Sequence, residues 1–329
     1  MDAFLYINTP QIVDASSSGG AFHKIVTQIF SEYKDVKVYG ATWTSKFEIM
    51  HTCVTKIDEL NKLSGSKYSR SKMGDTFSQV ATSLSNGEYV IFSGTPCQVA
   101  GLKQFLKIKR IDTKQLLLID IICHGTPSPK MLQEWKNWIE NKYKDEIIDI
   151  NFRDKKVGWR GYPTTIKLKK KILQHTFDSQ QFIRLFFSHL ILGDSCYECV
   201  FAKKDRCSDI TIGDFWGANE IFEDLSGNNG ISLVLANTKK GKNLVLSISN
   251  NLEKGEVIRK CHTERFLDYQ QNLNSPTERP YNTASFWQDY KTKGYKFVLK
   301  KYKISTNKLK LKFYIKKFLS KLCIYNKPY

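Results

Sequence analysis

No stretch of this chain is long and apolar enough to cross a bilayer. The longest apolar run, around Leu116–Cys123, is short and is broken by Asp120. The N-terminus, MDAFLYINTPQIVD, has neither a basic n-region nor an apolar core, so it does not read as a secretory signal. Without export, eight cysteines point to a reducing compartment rather than a disulfide scaffold. Acidic residues are missing from one region: Lys291 to Tyr329 holds thirteen lysines and no Asp or Glu. Those lysines supply thirteen of the nineteen excess positive charges, so the basic balance describes the tail more than the core. There is no internal repeat, no low-complexity linker and no recognised nucleic-acid module, and specific nucleic-acid binding is not expected. At 329 residues the chain can bury a large core in one or two domains. The expectation is a soluble cytoplasmic protein.

What is present centres on Glu88–Pro129. Glu88–Ser93 is a short apolar run that suits a buried strand. Gly94-Thr95-Pro96 breaks it, and Cys97 opens an amphipathic helix carrying Val99, Leu102, Phe105 and Leu106 on one face. Gln115–Ile122 is a second buried strand, followed at once by Cys123-His124-Gly125. Such a unit makes a right-handed crossover and often joins neighbouring parallel strands. The two cysteines then leave the same carboxyl edge, where open α/β sheets hold ligands. The fold class is α/β: a mixed, partly parallel sheet flanked by helices, with a basic helical C-terminal tail. Pro and polar residues cluster over Asn272–Pro280, which places a boundary between residues 1–272 and a tail of 273–329.

Elsewhere, Ser16-Ser17-Ser18-Gly19-Gly20 precedes a helical pattern with Phe22, Ile25, Ile29 and Phe30 on one face. Small residues at a helix N-terminus suit an anion such as phosphate, and they equally make an ordinary cap. Gly65-Ser66-Lys67-Tyr68 is a loop, as is RDKKVGWRGYP after a strand near Ile147–Phe152. Asp209–Gly217 is an alternating strand ending in a polar-aromatic turn.

Cys97, Cys123, Cys196 and Cys199 all lie in loops beside Gly, Pro or a second Cys. A [4Fe–4S] cluster needs four thiolates from loops that can wrap it. Cys97 opens a helix, which favours its thiolate. Zinc is the rival: Cys196, Cys199 and Cys207 with His189 make a tetrahedral set, though Cys97 and Cys123 are then unused and there is no second CxxC. The third reading is buried structural thiols. Cys53, Cys261 and Cys323 are read as structural.

Taken in order, SSSGG, GSKY, FSGTPCQVAGLK, DIICHGTPSP, FRDKKVGW, CYECVFAKKDRCSDITIGDFWG and GISLVLANTKKG resemble the coenzyme F420 hydrogenase/dehydrogenase beta-subunit family, over about residues 16–252. The resemblance implies an iron-sulfur flavoprotein, a flavin-dependent oxidoreductase in which FAD passes electrons between a [4Fe–4S] cluster and a small-molecule substrate. By motif the cluster ligands are Cys97, Cys123, Cys196 and Cys199, with Cys207 left out. It implies FAD contacts from Ser17, Ser18, Gly19 and Gly20, from Gly65, Ser66, Lys67 and Tyr68, from Ser93, Gly94 and Thr95, and from Asp214 and Trp216. Longer relatives carry an N-terminal ferredoxin domain. Nothing like it is seen here, so electrons are expected from a ferredoxin-like partner. Similar bacterial proteins accompany cell-surface polysaccharide genes, which leaves open whether deazaflavin is the acceptor.

Three side chains are candidates for the chemistry, His124, Arg153 and Asp154, and two more, Lys67 and Trp216, for holding a cofactor. His124 adjoins Cys123 and suits a proton or hydrogen-bond donor near a flavin, or a structural loop histidine. Arg153 and Asp154 suit a diphosphate or anionic substrate, or an ordinary ion pair. Lys67 suits a phosphate or solvent, and Trp216 suits a ring system or the core. The tail alternates lysines with Phe297, Val298, Leu299, Tyr302, Leu311, Tyr314, Ile315, Phe318 and Leu319. It reads either as a solvated helix packed on the domain or as a basic helix on the anionic inner face of a membrane. The rival to the enzyme is a non-catalytic adaptor of a polysaccharide assembly, stabilised by a cluster or by zinc.

Overall fold

The computed structural model describes residues 1–225 and 229–321. Cys323 and the last residues of the tail lie outside the described residues. The chain forms two compact units. The first comprises residues 1–67, 71–124 and 198–276, and the second 68–70, 125–197 and 277–329.

The first unit is built on strands whose residues alternate between two buried faces. Its strands are β1 (Asp2–Ile7), β2 (Val36–Trp43), β3 (Ile49–Val54), β4 (Tyr89–Gly94), β5 (Leu116–Ile121), β9 (Ile210–Asp214), β10 (Ser232–Ala236) and β11 (Val257–Cys261). They form one sheet in the order β11-β1-β10-β9-β5-β4-β2-β3. The β2–β4, β4–β5 and β5–β9 pairs are parallel and the others antiparallel, so the sheet is mixed with a parallel centre.

Helices α1 (Pro10–Ala15), α2 (Ala21–Glu32), α3 (Thr76–Ser85), α4 (Pro96–Ile108), α8 (Ala218–Ile221) and α9 (Lys239–Asn250) complete this unit. Ile91, Leu117 and Ile119 pack with Ile25 and Ile29 of α2 and Leu244, Val245 and Ile248 of α9. The alternate residues Val90, Phe92, Leu116 and Leu118 pack with Val80 and Leu84 of α3 and Val99, Leu102 and Leu106 of α4. Both faces are covered, which is why the central strands read as continuous apolar runs. Under the sheet, Glu256 accepts from Tyr6 Oη at 2.6 Å and pairs with Lys24 Nζ at 2.6 Å.

The second unit holds the three-stranded antiparallel sheet β6 (Ile147–Asn151), β7 (Thr165–Leu168) and β8 (Ile172–Gln174). With it go α5 (Pro129–Tyr143), α6 (Gln181–Phe187), α7 (Asp194–Tyr197), α10 (Thr283–Lys293), α11 (Tyr295–Lys301) and α12 (Asn307–Lys321). Trp135, Phe152 and Phe182 form its aromatic centre, with ring centroids 5.4–5.7 Å apart. Asp289 of α10 takes Lys293, Lys301 and Tyr302, and these bonds hold its carboxyl down at about 2.

Candidate functional site

The site is the carboxyl edge of the parallel centre. Gly94 of β4 is in register with Asp120 of β5. Cys97 and Cys123 each follow three residues later, so both leave the same edge. Ile121 of β5 is in register with Ile212 of β9, which brings Asp214 to that edge too. The crossover expected over Glu88–Pro129 is therefore present, strand by strand.

Three of the segments expected to hold a flavin meet here. Ser66 N–H donates to Ser17 Oγ at 2.7 Å, joining the SSSGG and GSK loops. Ser18 Oγ donates to the Ile231 carbonyl at 2.9 Å, and Phe215 N–H donates to the same carbonyl at 2.8 Å. Asp214 and Trp216 flank that Phe215, and both are half-buried.

The glycines differ in what they serve. A Cβ on Gly19 would lie 2.3 Å from the Tyr6 carbonyl oxygen and 2.5 Å from Ser232 N, so β1 and β10 exclude any side chain there. Gly65, at φ +82°, faces open space. Lys67 Nζ donates to the carbonyls of Ser64, at 2.9 Å, and Gly65, at 3.2 Å, so its ammonium ties its own loop together. Desolvation lowers its pKa to about 8.

Cys97 is exposed in the first turn of α4. Its Sγ lies 3.2 Å from Thr95 Oγ1. A capping box closes this turn, with Thr95 N–H and Oγ1–H donating to Gln98 Oε1 at 2.9 and 3.1 Å. Gln98 Nε2 donates to Ser71 Oγ at 2.8 Å, and Ser71 Oγ lies 3.0 Å from His51 Nδ1. His51 Nε2 lies 3.0 Å from the Ser93 carbonyl, which can only accept, so Nε2 carries the proton and Nδ1 accepts from Ser71. Burial against Phe92 keeps this imidazole neutral, with its pKa lowered to about 4. The chain of bonds fixes the Cys97 loop from behind. It does not relay protons, because the Gln98 amide interrupts it. Neither His51 nor Ser71 stands out in the sequence, since each lies outside the motifs.

Cys199 is half-buried at the start of the loop leading to β9. Arg206 pins that loop. Its guanidinium donates to Phe201 O at 2.8 Å, Asp120 Oδ2 at 2.9 Å and Ile121 O at 3.1 Å. The Arg206–Asp120 side chains are almost fully buried. Burial holds the Asp120 carboxyl above its usual range, although Arg206 acts to lower it. Cys207 Sγ donates to the Pro96 carbonyl at 3.4 Å, one residue from Cys97, and burial raises its thiol pKa.

Cys196 belongs to the second unit, in α7. Its Sγ accepts from Thr126 N–H at 3.4 Å. Gly125, at φ +111°, leaves room for it, since a Cβ there would stand 3.2 Å from Cys196 Cβ. Tyr68 and Arg153 also meet in this unit, with Arg153 Nη1 3.4 Å from Tyr68 Oη and the guanidinium over the Tyr162 ring. Asp154 accepts from Thr165 Oγ1, from Gln174 Nε2 at 3.0 Å and from Lys156 N–H at 3.2 Å. Burial alone would raise its pKa, but these hydrogen bonds bring it below the ordinary value. Its oxygens thus tie β7 and β8 to the turn after β6.

All four candidate ligands are thiols rather than disulfides, one exposed and three half-buried. The N–H on Cys196 Sγ suits a sulfur that carries negative charge, as a cluster ligand does. Cys97, Cys123 and Cys199 lie in the first unit and Cys196 in the second. Among the described residues, no three His, Cys, Asp or Glu side chains are grouped to hold a metal ion. His124 is half-buried after Cys123. Among the described residues, no helix is long and apolar enough to cross a membrane.

No curated protein sequence matches this chain. Among solved structures, a chain from the xenon-derivatised F420-reducing [NiFe] hydrogenase complex of Methanosarcina barkeri is similar in fold. It has 15% identity and a TM-score of 0.55, and the match covers 83% of this chain and 87% of that one. Residues 87–259, more than half of the chain, match the family model that describes the C terminus of the coenzyme F420 hydrogenase/dehydrogenase beta subunit. That span runs from β4 through Cys97, Cys123, Cys196 and Cys199 into β11, and by it the chain belongs to the coenzyme F420 hydrogenase/dehydrogenase beta-subunit family.

Proposed function

We propose that the protein is an iron-sulfur flavoprotein oxidoreductase. It takes electrons from a ferredoxin-like partner and delivers them to a small-molecule substrate, such as one used in cell-surface polysaccharide biosynthesis. The observation that carries this is the register of β4 with β5, which sends Cys97 and Cys123 off one carboxyl edge inside the family-matched span. Cys97, Cys123, Cys196 and Cys199 would hold a [4Fe–4S] cluster, and FAD would lie against the Ser17–Gly20, Gly65–Tyr68, Ser93–Thr95 and Asp214–Trp216 segments. The cluster would carry single electrons and the flavin would exchange pairs with the substrate.

The chain's own residues set the stage for that chemistry. The Thr126 N–H offers a hydrogen bond to a ligand sulfur, and such bonds tune a cluster's potential. Arg206 fixes the Cys199 loop to the end of β5. His124 would supply a proton or hydrogen bond at the flavin edge. Arg153, stacked on Tyr162, would receive an anionic group of the cofactor or substrate, with Asp154 holding its loop.

The test is anaerobic purification with assays for iron, sulfide, zinc and released flavin. The expected result is about four irons per chain, the content of one cubane cluster, with FAD present. Changing Cys97 or Cys123 to Ser should remove the iron while leaving the fold. Zinc in place of iron and flavin would sink this reading in favour of a zinc-stabilised adaptor.

A further inference from the structure

The last helix has two apolar faces, and only one of them packs on the protein. Phe313 stands edge-on to the His175 ring at 5.3 Å and to the Phe177 ring at 5.9 Å. One turn later, Lys317 Nζ donates to the His175 carbonyl at 2.7 Å. These two residues define the docked side of α12. At 100° per residue, Leu311, Ile315 and Phe318 fall together on the opposite side, and Tyr314 lies between the two faces. Leu311, Ile315 and Phe318 are 64%, 49% and 62% exposed, a continuous outward stripe of large apolar side chains. Lys308, Lys312 and Lys316 border the stripe on one flank and Lys310 on the other, and all four are exposed.

We infer that α12 lays this outer face on an anionic lipid surface. An isolated exposed Leu needs no explanation, but three large apolar side chains at the i, i+4, i+7 spacing make a face that water does not favour. The charge around the stripe selects its occupant. From Lys291 onward there is no acidic residue, so a second copy docking face to face would bring lysines against lysines. Lysines that flank an apolar stripe suit a bilayer, because their stems lie along the acyl boundary while the ammonium groups reach phosphate or carboxylate headgroups. The helix would lie in the interface plane, its docked side still carrying Phe313 against the protein. This inference does not depend on the redox chemistry, since it needs no cofactor.

The experiment is flotation of the full chain with vesicles of phosphatidylcholine alone or containing phosphatidylserine. The expected result is flotation with the anionic vesicles only, lost at high salt. Each lysine near the surface contributes roughly fivefold, so Lys308→Gln with Lys312→Gln should weaken binding roughly twenty-five-fold. Ile315→Glu with Phe318→Glu should abolish it with an unchanged melting temperature, because both side chains point outward. If that pair melts early, Leu311→Glu at the other end of the stripe repeats the test. Equal flotation with neutral vesicles, no flotation, or full binding by the glutamate variants would overturn the inference. So would a dimer in sedimentation that the glutamate variants dissolve, since the face would then belong to a second copy.

Discussion

Replacing Arg206 with Met tests how the cysteine loop before β9 is held. The guanidinium sits 2.9 Å from Asp120 Oδ2, and its side chain is 1% exposed against 0% for Asp120. Met keeps much of the volume but leaves a buried carboxylate facing no cation, and it strips a donor from the Phe201 and Ile121 carbonyls. Removing one partner of a buried pair costs about 3–5 kcal/mol, most of it the orphaned charge. For a cooperative unit of this size that lowers the melting temperature by roughly 10 °C. Adding Asp120→Asn removes the charge at nearly unchanged shape, and should restore about 2 kcal/mol. Urea melts of the wild type, both single variants and the double variant give the coupling directly. Alkylation of the cysteines, followed by peptide mass spectrometry, should show Cys199 reacting faster in Arg206→Met. An Arg206→Met cost below about 1 kcal/mol, or no recovery in the double variant, would refute the staple.

Two further outcomes follow from the same unit. Gly19→Ala should destabilise severely, by more than about 3 kcal/mol, because its methyl would enter the β1–β10 backbone. Gly65→Ala should cost only about 1 kcal/mol for its positive φ; equal melting temperatures for the two would show that the close approach at Gly19 is not real. His51 has a folded pKa of about 4, below its ordinary 6.5, so between these values the unfolded chain binds the extra proton and stability falls with acid. The wild type should therefore lose up to about 3 kcal/mol from this group between pH 6.5 and 4, and a His51→Gln variant should show a flatter acid limb in pH-dependent urea melts.

The parallel centre was legible because its strands are buried on both faces and its connecting helix carries a clear apolar stripe. Val90, Phe92 and Ile91 divide between the two faces as a period of two requires. The alternating strand of Asp209–Gly217 was equally plain, the observed element being Ile210–Asp214. The strand at the N-terminus, Asp2–Ile7, carried no such signal, since its partners β10 and β11 come more than two hundred residues later. The insertion of residues 125–197 was equally silent, because no linker composition marks where a chain leaves one core for another. Within the site, cysteines announce themselves by type and neighbours. His51 and Ser71 act through contacts between distant segments and lie outside the motifs, and Arg206 lies inside one without its partner Asp120 being marked. Cys207 was legible as a cysteine, but its place beside Pro96 follows from the path of the loop alone.

The position of β1 also bears on how the chain reaches its fold. This strand lies between β10 and β11, and Tyr6 is bonded to Glu256 across 250 residues of sequence. β1 is thus made more than two hundred residues before the strands it pairs with. Until residues 232–261 have been made, its backbone has no sheet to join and its apolar side chains have no cover. Contacts of such separation slow folding and lengthen the time an unpaired edge is exposed. Pairing β1 is then a late step, whose delay is set by chain separation rather than by the strength of the finished sheet.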